Sequence, residues 1–129
     1  MDTVFIAPTP TSPEVDFRFA EDVLWLKGES FPENAAAFYL PVIERLRAYL
    51  EQRHGATILV HVALAYFNSS STKMLFTLFD ALDQAAQAGN VVELHWYYDA
   101  EDETIQEFGE ELRLDFEALV FVEHPELPA

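Results

Sequence analysis

The sequence predicts an α/β fold: a single domain with a mixed, mostly parallel sheet, helices packed on it, and the element order ββαβαβαβ. Three observations predict it. Residues 57–65 and 91–98 are β-branched and apolar, and each run leads through a polar turn into a segment with helical spacing. Strands that alternate with helices imply right-handed crossovers and parallel pairing. Near the start, residues 15–19 and 23–27 flank a short turn, so a hairpin adds an antiparallel portion.

Size and composition bound what such a domain does. A chain of 129 residues with half of them hydrophobic buries one core. It contains no cysteine, which excludes disulfides, thiol catalysis and Cys-based zinc sites and fits a reducing compartment. Acids outnumber bases 23 to 7, a formal charge of −16. That field repels phosphate backbones and anionic lipid, so neither nucleic acid nor membrane is expected as a partner. No apolar run reaches the roughly 20 residues of a membrane span. The first residues lack the basic region of a signal peptide, and the expected location is cytoplasmic.

In order, residues 1–13 read as an extended arm: Pro8, Pro10 and Pro13 favour polyproline-like backbone, and residues 4–6 are positioned to dock on the body. Residues 14–129 form the domain. Val15, Phe17 and Phe19 alternate with polar residues, as a half-buried strand requires, and Gly28 closes the hairpin. Ser30 is the candidate N-cap of the first helix, with Pro32 and Glu33 in its first turn. Phe38, Val42, Leu46 and Leu50 mark its buried stripe. Pro41 removes a helical hydrogen bond, so the expectation is a short segment to Tyr39 and a main helix over 41–53, stopped by Gly55. Residues 57–67 have two largely apolar faces, which predicts a central strand covered on both sides. The second helix runs from Met74 to Ala88 and stops at Gly89-Asn90. A fourth strand over 91–98 enters the acidic turn 99–103. Asp102 and Glu103 suit the dipole of a third helix with Ile105, Phe108 and Leu112 inward. Residues 119–122 are the last strand, and 124–129 a tail.

The chemistry concentrates at Asn68-Ser69-Ser70-Ser71-Thr72-Lys73, a strand-to-helix turn past the carboxyl end of a strand, where sites on such sheets gather. One reading is an N-cap: Asn or Ser accepts a free backbone N–H of the first turn. The other is a phosphoacceptor or nucleophile, because a helix N-terminus favours an anion. Three serines and a threonine exceed what one cap requires. A Ser-His-Asp hydrolase built on His61, His95 and Asp99 lacks a Gly-x-Ser-x-Gly elbow. The acids at 99–103 lack EF-hand spacing and its glycine, so no metal or cofactor site is assigned. Lys73 lies one helical turn from Ser69, within reach of a phosphate or a partner's carboxylate.

Three blocks carry a resemblance: Gly28-Glu29-Ser30-Phe31-Pro32-Glu33-Asn34, then Tyr66-Phe67-Asn68-Ser69-Ser70-Ser71-Thr72-Lys73, then His95-Trp96-Tyr97-Tyr98-Asp99. Glu107-Phe108-Gly109-Glu110-Glu111 and Asp115-Phe116 extend it. Together they resemble the SiaC-type bacterial regulatory phosphoproteins, from about residue 9 to 122. The resemblance implies a STAS-like domain, similar to anti-anti-sigma factors, that is not an enzyme. It implies a partner switch. The unphosphorylated form binds and stimulates a diguanylate cyclase or similar signalling enzyme, raising cyclic di-GMP and promoting biofilm or aggregation. A Ser/Thr kinase of the SiaB type phosphorylates the turn before the second helix, and a PP2C-type phosphatase restores it. Carried onto this chain, the phosphoacceptor is Ser69, with Ser70 and Ser71 as alternates. Asn68, Ser70, Ser71, Thr72, Lys73, Tyr97, Tyr98 and Asp99 are the expected partner-binding residues. The alternative is a STAS-like module that binds a small ligand beyond the strand ends.

Overall fold

A computed structural model describes residues 2–128. It consists of β1 (Val4–Ile6), β2 (Glu14–Arg18), a 3-10 turn (Phe19–Glu21), β3 (Val23–Ser30), α1 (Ala35–Glu51), β4 (Thr57–Phe67), α2 (Ser69–Gln87), β5 (Val91–Tyr97), α3 (Glu103–Asp115) and β6 (Val120–His124). The strands form one sheet in sequence order, antiparallel from β1 through β3 and parallel from β3 to β6. The mixed, mostly parallel α/β fold is therefore as expected. One strand is additional: Val4–Ile6 pairs with residues 15–17 of β2 instead of only docking.

The core lies between the sheet and its three helices. Val15, Phe17, Leu24, Leu26, Ile58, Val60, Val62, Leu64, Val92, Leu94 and Trp96 all point into it. From α1 come Tyr39, Val42, Ile43 and Leu46, and from α2 Leu75, Leu78, Phe79 and Leu82. From α3 come Ile105 and Leu112, and Trp96 donates its indole N–H to the carbonyl of Ile105 at 3.1 Å.

Several local expectations are corrected. β4 is not covered on both faces: the face carrying His61 stays only half-buried, because the rings of neighbouring strands pack beside it in place of a helix layer. α1 is continuous through Pro41, whose exposed ring leaves the buried side of the helix intact. It ends at Glu51, before Gly55 is reached. Its cap is Asn34, whose side chain accepts from the Ala37 N–H at 3.0 Å. Ser30 is instead the fully buried last residue of β3, which runs past Gly28 through a register shift at Gly28/Glu29. Gly28 sits there at φ +120°, a conformation that favours glycine. His124 belongs to β6 and not to a tail.

Candidate functional site

The turn between β4 and α2 is built by Asn68. Its backbone is extended at φ −91° and ψ 175°, and its side-chain oxygen accepts from the Ser71 N–H at 2.9 Å. Its own N–H donates to the Ser30 carbonyl at 3.0 Å, which fastens the turn to the end of β3. The cap is thus the asparagine, and the hydroxyls are free for other work.

They divide. Ser71 is fully buried, and its Oγ accepts from Ser30 Oγ at 2.8 Å. Ser30 in turn pairs with the Tyr39 hydroxyl, so three buried hydroxyls bolt β3, α1 and α2 together. Burial pushes the Tyr39 phenol up to about 12, with its bond to Ser30 opposing, so it stays a neutral partner in this chain of bonds. Thr72 donates its hydroxyl to the Asn68 carbonyl at 3.1 Å. Ser69 and Ser70 are exposed and occupy the first two helical positions, where backbone N–H groups have no partner inside the helix. The α-helical step explains the division: Ser71 lies about 200° around the axis from Ser69, so when one faces the core the other faces solvent.

Lys73 is exposed one turn after Ser69, on the same side of α2. With Ser70, Met74, Glu33, Asn34 and Ala36 it lines a cleft of about 780 Å³ between the starts of α1 and α2. At the end of β4 Tyr66, 48% exposed, meets Phe31 edge-on at 5.6 Å. The sequence hid that aromatic pair, because strand parity places Tyr66 with the core-facing residues.

Among the described residues no hydrogen bond or ring contact ties Tyr97, Tyr98 or Asp99 to the serines. Tyr98 is buried. Tyr97 faces the helix-free side of the sheet, where its hydroxyl meets His61 Nδ1 at 2.9 Å. Asp99 is exposed and takes the Glu101 N–H at 2.9 Å, shaping the acidic turn. It lines a second cleft of about 480 Å³, with Leu64, Asp102 and Glu103, at the carboxyl end of β4. Among the described residues no group of three or more His, Cys, Asp or Glu is placed to hold a metal ion, and no helix is long and apolar enough to cross a membrane.

Comparison with known proteins agrees with this geometry. The sequence profile of the SiaC family regulatory phosphoproteins matches residues 6–126. An uncharacterized protein of Pseudomonas aeruginosa strain UCBPP-PA14 is 31% identical over 115 residues, covering 89% of this chain and 90% of that protein. The crystal structure of apo-SiaC from Pseudomonas aeruginosa superposes with a TM-score of 0.88 at 28% identity, over 96% of this chain and 99% of that one. A chain in the crystal structure of the diguanylate cyclase SiaD in complex with its activator SiaC, from the same organism, gives 0.86 at 29% identity, over 94% and 98%.

Proposed function

This chain belongs to the SiaC family of regulatory phosphoproteins, and from that premise we propose that it is a partner switch whose unphosphorylated form binds and activates a diguanylate cyclase. Phosphorylation at Ser69 releases the cyclase. A Ser/Thr kinase of the SiaB type adds the phosphate and a PP2C-type phosphatase removes it, which puts the chain in the cytoplasm. The cyclase in this reading rests on the SiaD–SiaC complex, whose activator shares this fold over nearly its whole length.

The observation that carries the choice of residue is the division of the hydroxyls. Ser71 and Thr72 are engaged within the domain, whereas Ser69 and Ser70 are exposed at the start of α2, and the family resemblance selects Ser69 of the two. A phosphoryl group there adds about −1.5 to −2 charges near pH 7. The free N–H groups of the first turn favour the anion, and Lys73 lies within one turn of it, so the domain tolerates the modification. A partner surface pressed against the same turn does not, because burying an unpaired charge costs several kcal/mol or more. One modification therefore dissociates the complex and leaves the fold intact.

The test is a pull-down from the native host with wild-type, Ser69→Ala and Ser69→Asp baits, followed by assay of the captured material for cyclic di-GMP synthesis. Wild type and Ser69→Ala are expected to capture and stimulate a cyclase, and Ser69→Asp to lose it. Equal capture by wild type and Ser69→Asp would refute the switch. Mass spectrometry of the chain isolated from cells locates the phosphate, and a phosphate on Ser70 in its place would reassign the residue.

A further inference from the structure

On the helix-free face of the sheet, five rings stand in a wall that the regulatory reading does not use. The register aligns Asp16, Trp25, His61, His95 and Val122 across five strands, and His124 lies opposite Tyr97. Trp25 stacks on His61 at 4.2 Å, His61 on His95 at 4.9 Å, His95 on His124 at 5.1 Å, and His124 on Tyr97 at 4.4 Å. His95 Nδ1 lies 2.8 Å from His124 Nε2, and His61 Nδ1 lies 2.9 Å from the Tyr97 hydroxyl. The bond between His95 and His124 needs at least one of its two rings neutral. A bond between two imidazole nitrogens uses one proton, since each ring nitrogen of an imidazolium is a donor only. Stacked neutral rings attract, whereas two charged rings about 5 Å apart on a half-buried face repel.

The charged groups around the wall do not cancel that repulsion. Glu93 accepts from His95 Nε2 at 3.2 Å and is the one carboxylate in contact with an imidazole among the described residues. Glu14 is taken by Lys27, whose ammonium also lies 5.8 Å from the Trp25 ring, and Asp16 is taken by Arg18. Pro8, Leu127 and Pro128 border the face without adding charge. One carboxylate thus serves three imidazoles.

We propose that this wall is a proton-operated latch on the open face of the sheet: closed while its imidazoles are neutral, and opened when acid places charge on adjacent rings. Burial, then the neighbouring His95 and His124, hold His61 below the ordinary imidazole value, with Glu93 opposing. Protonation of His61 places a charge against the Trp25 indole and beside the stacked ring of His95. The face then changes charge and shape together, in a pH range where unperturbed histidine alone among side chains titrates.

Linkage fixes the sign. A histidine whose folded value is lowered contributes stability that is whole above the unfolded value of about 6.5 and is lost as pH falls through the folded value. Imidazole Cε1 proton resonances of the full chain are followed from pH 8 to 5, in wild type, His95→Gln and Glu93→Gln. The His61 midpoint is expected below about 6.5, to rise in His95→Gln and to fall in Glu93→Gln, with the Trp25 indole N–H moving at the same midpoint. Equal thermal midpoints at pH 8 establish that the variants fold. Between pH 7.5 and 5.5 wild type is expected to lose more thermal stability than His61→Gln. A His61 midpoint unmoved by either variant, a Trp25 signal that does not follow it, or equal acid losses in wild type and His61→Gln would each overturn the latch.

Discussion

Gly109→Ala separates a packing requirement from a helix preference. Gly109 is a buried residue of α3, and a Cβ built on it would lie 2.7 Å from Cδ1 and Nε1 of Trp96 and 3.3 Å from Cε2. Ordinary carbon contacts lie at about 3.5–4.0 Å, so one partner must retreat by roughly 1 Å. Trp96 has nowhere to go: it is fully buried, its ring touches Phe67, Phe79 and Phe108, and its indole N–H is held by the Ile105 carbonyl. Overpacking of this kind costs about 1–3 kcal/mol, and the overlap puts this site in the upper half. Alanine returns about 1 kcal/mol of helix propensity. The net loss is about 1–2 kcal/mol, which for a domain of this size lowers Tm by about 4 °C per kcal/mol. The assay is thermal unfolding, with the near-ultraviolet signal of Trp96 as a local probe. An equal or higher Tm for Gly109→Ala would refute the reasoning, since it would mean that α3 slides off the indole at no cost.

Two further substitutions test the frame. Asn90→Ala removes three bonds, one buried and two part-buried, in which the side chain accepts from the Ala56 N–H and donates to the Arg53 and Ala85 carbonyls, and urea unfolding should show a loss of about 2–3 kcal/mol. Pro41→Ala restores the hydrogen bond missing from the interior of α1 on its exposed side and is expected to raise stability by about 1–3 kcal/mol, read as an increase in the urea midpoint; no increase would mean that the helix accommodates the proline without strain.

The family assignment and the physics of the turn support each other at Ser69. The family supplies the expectation of a phosphate, and the fold leaves two hydroxyls in a run of four, Ser69 and Ser70, exposed to receive one. Ser30 and Tyr39 matter to that outcome although neither faces solvent. By holding Ser71 inward they fix the rotation of α2 and so present Ser69 and Ser70.

What the sequence determined by itself was local. Apolar periodicity, the acidic start at Asp102 and Glu103 and the stop at Gly89-Asn90 located the strands and helices, because each depends on neighbours within about one turn. Alternation of strand and helix was enough for a mostly parallel sheet. The hydroxyl cluster stood out because it exceeds what a cap requires. Other features belong to tertiary structure alone. Val4–Ile6 is a strand only because β2 offers it a paired edge. Ser30 resembled an N-cap by type and spacing, but the register shift at Gly28/Glu29 lengthens β3 and carries that serine into the core, leaving the cap to Asn34. The apolar second face of β4 suggested a second helix layer, whereas rings from three neighbouring strands supply the packing. Trp25, His61, His95 and His124 lie tens of residues apart in sequence. Their meeting is decided by strand register, a long-range pairing that no local pattern encodes, because a shift of one residue sends every side chain of a strand to the opposite face.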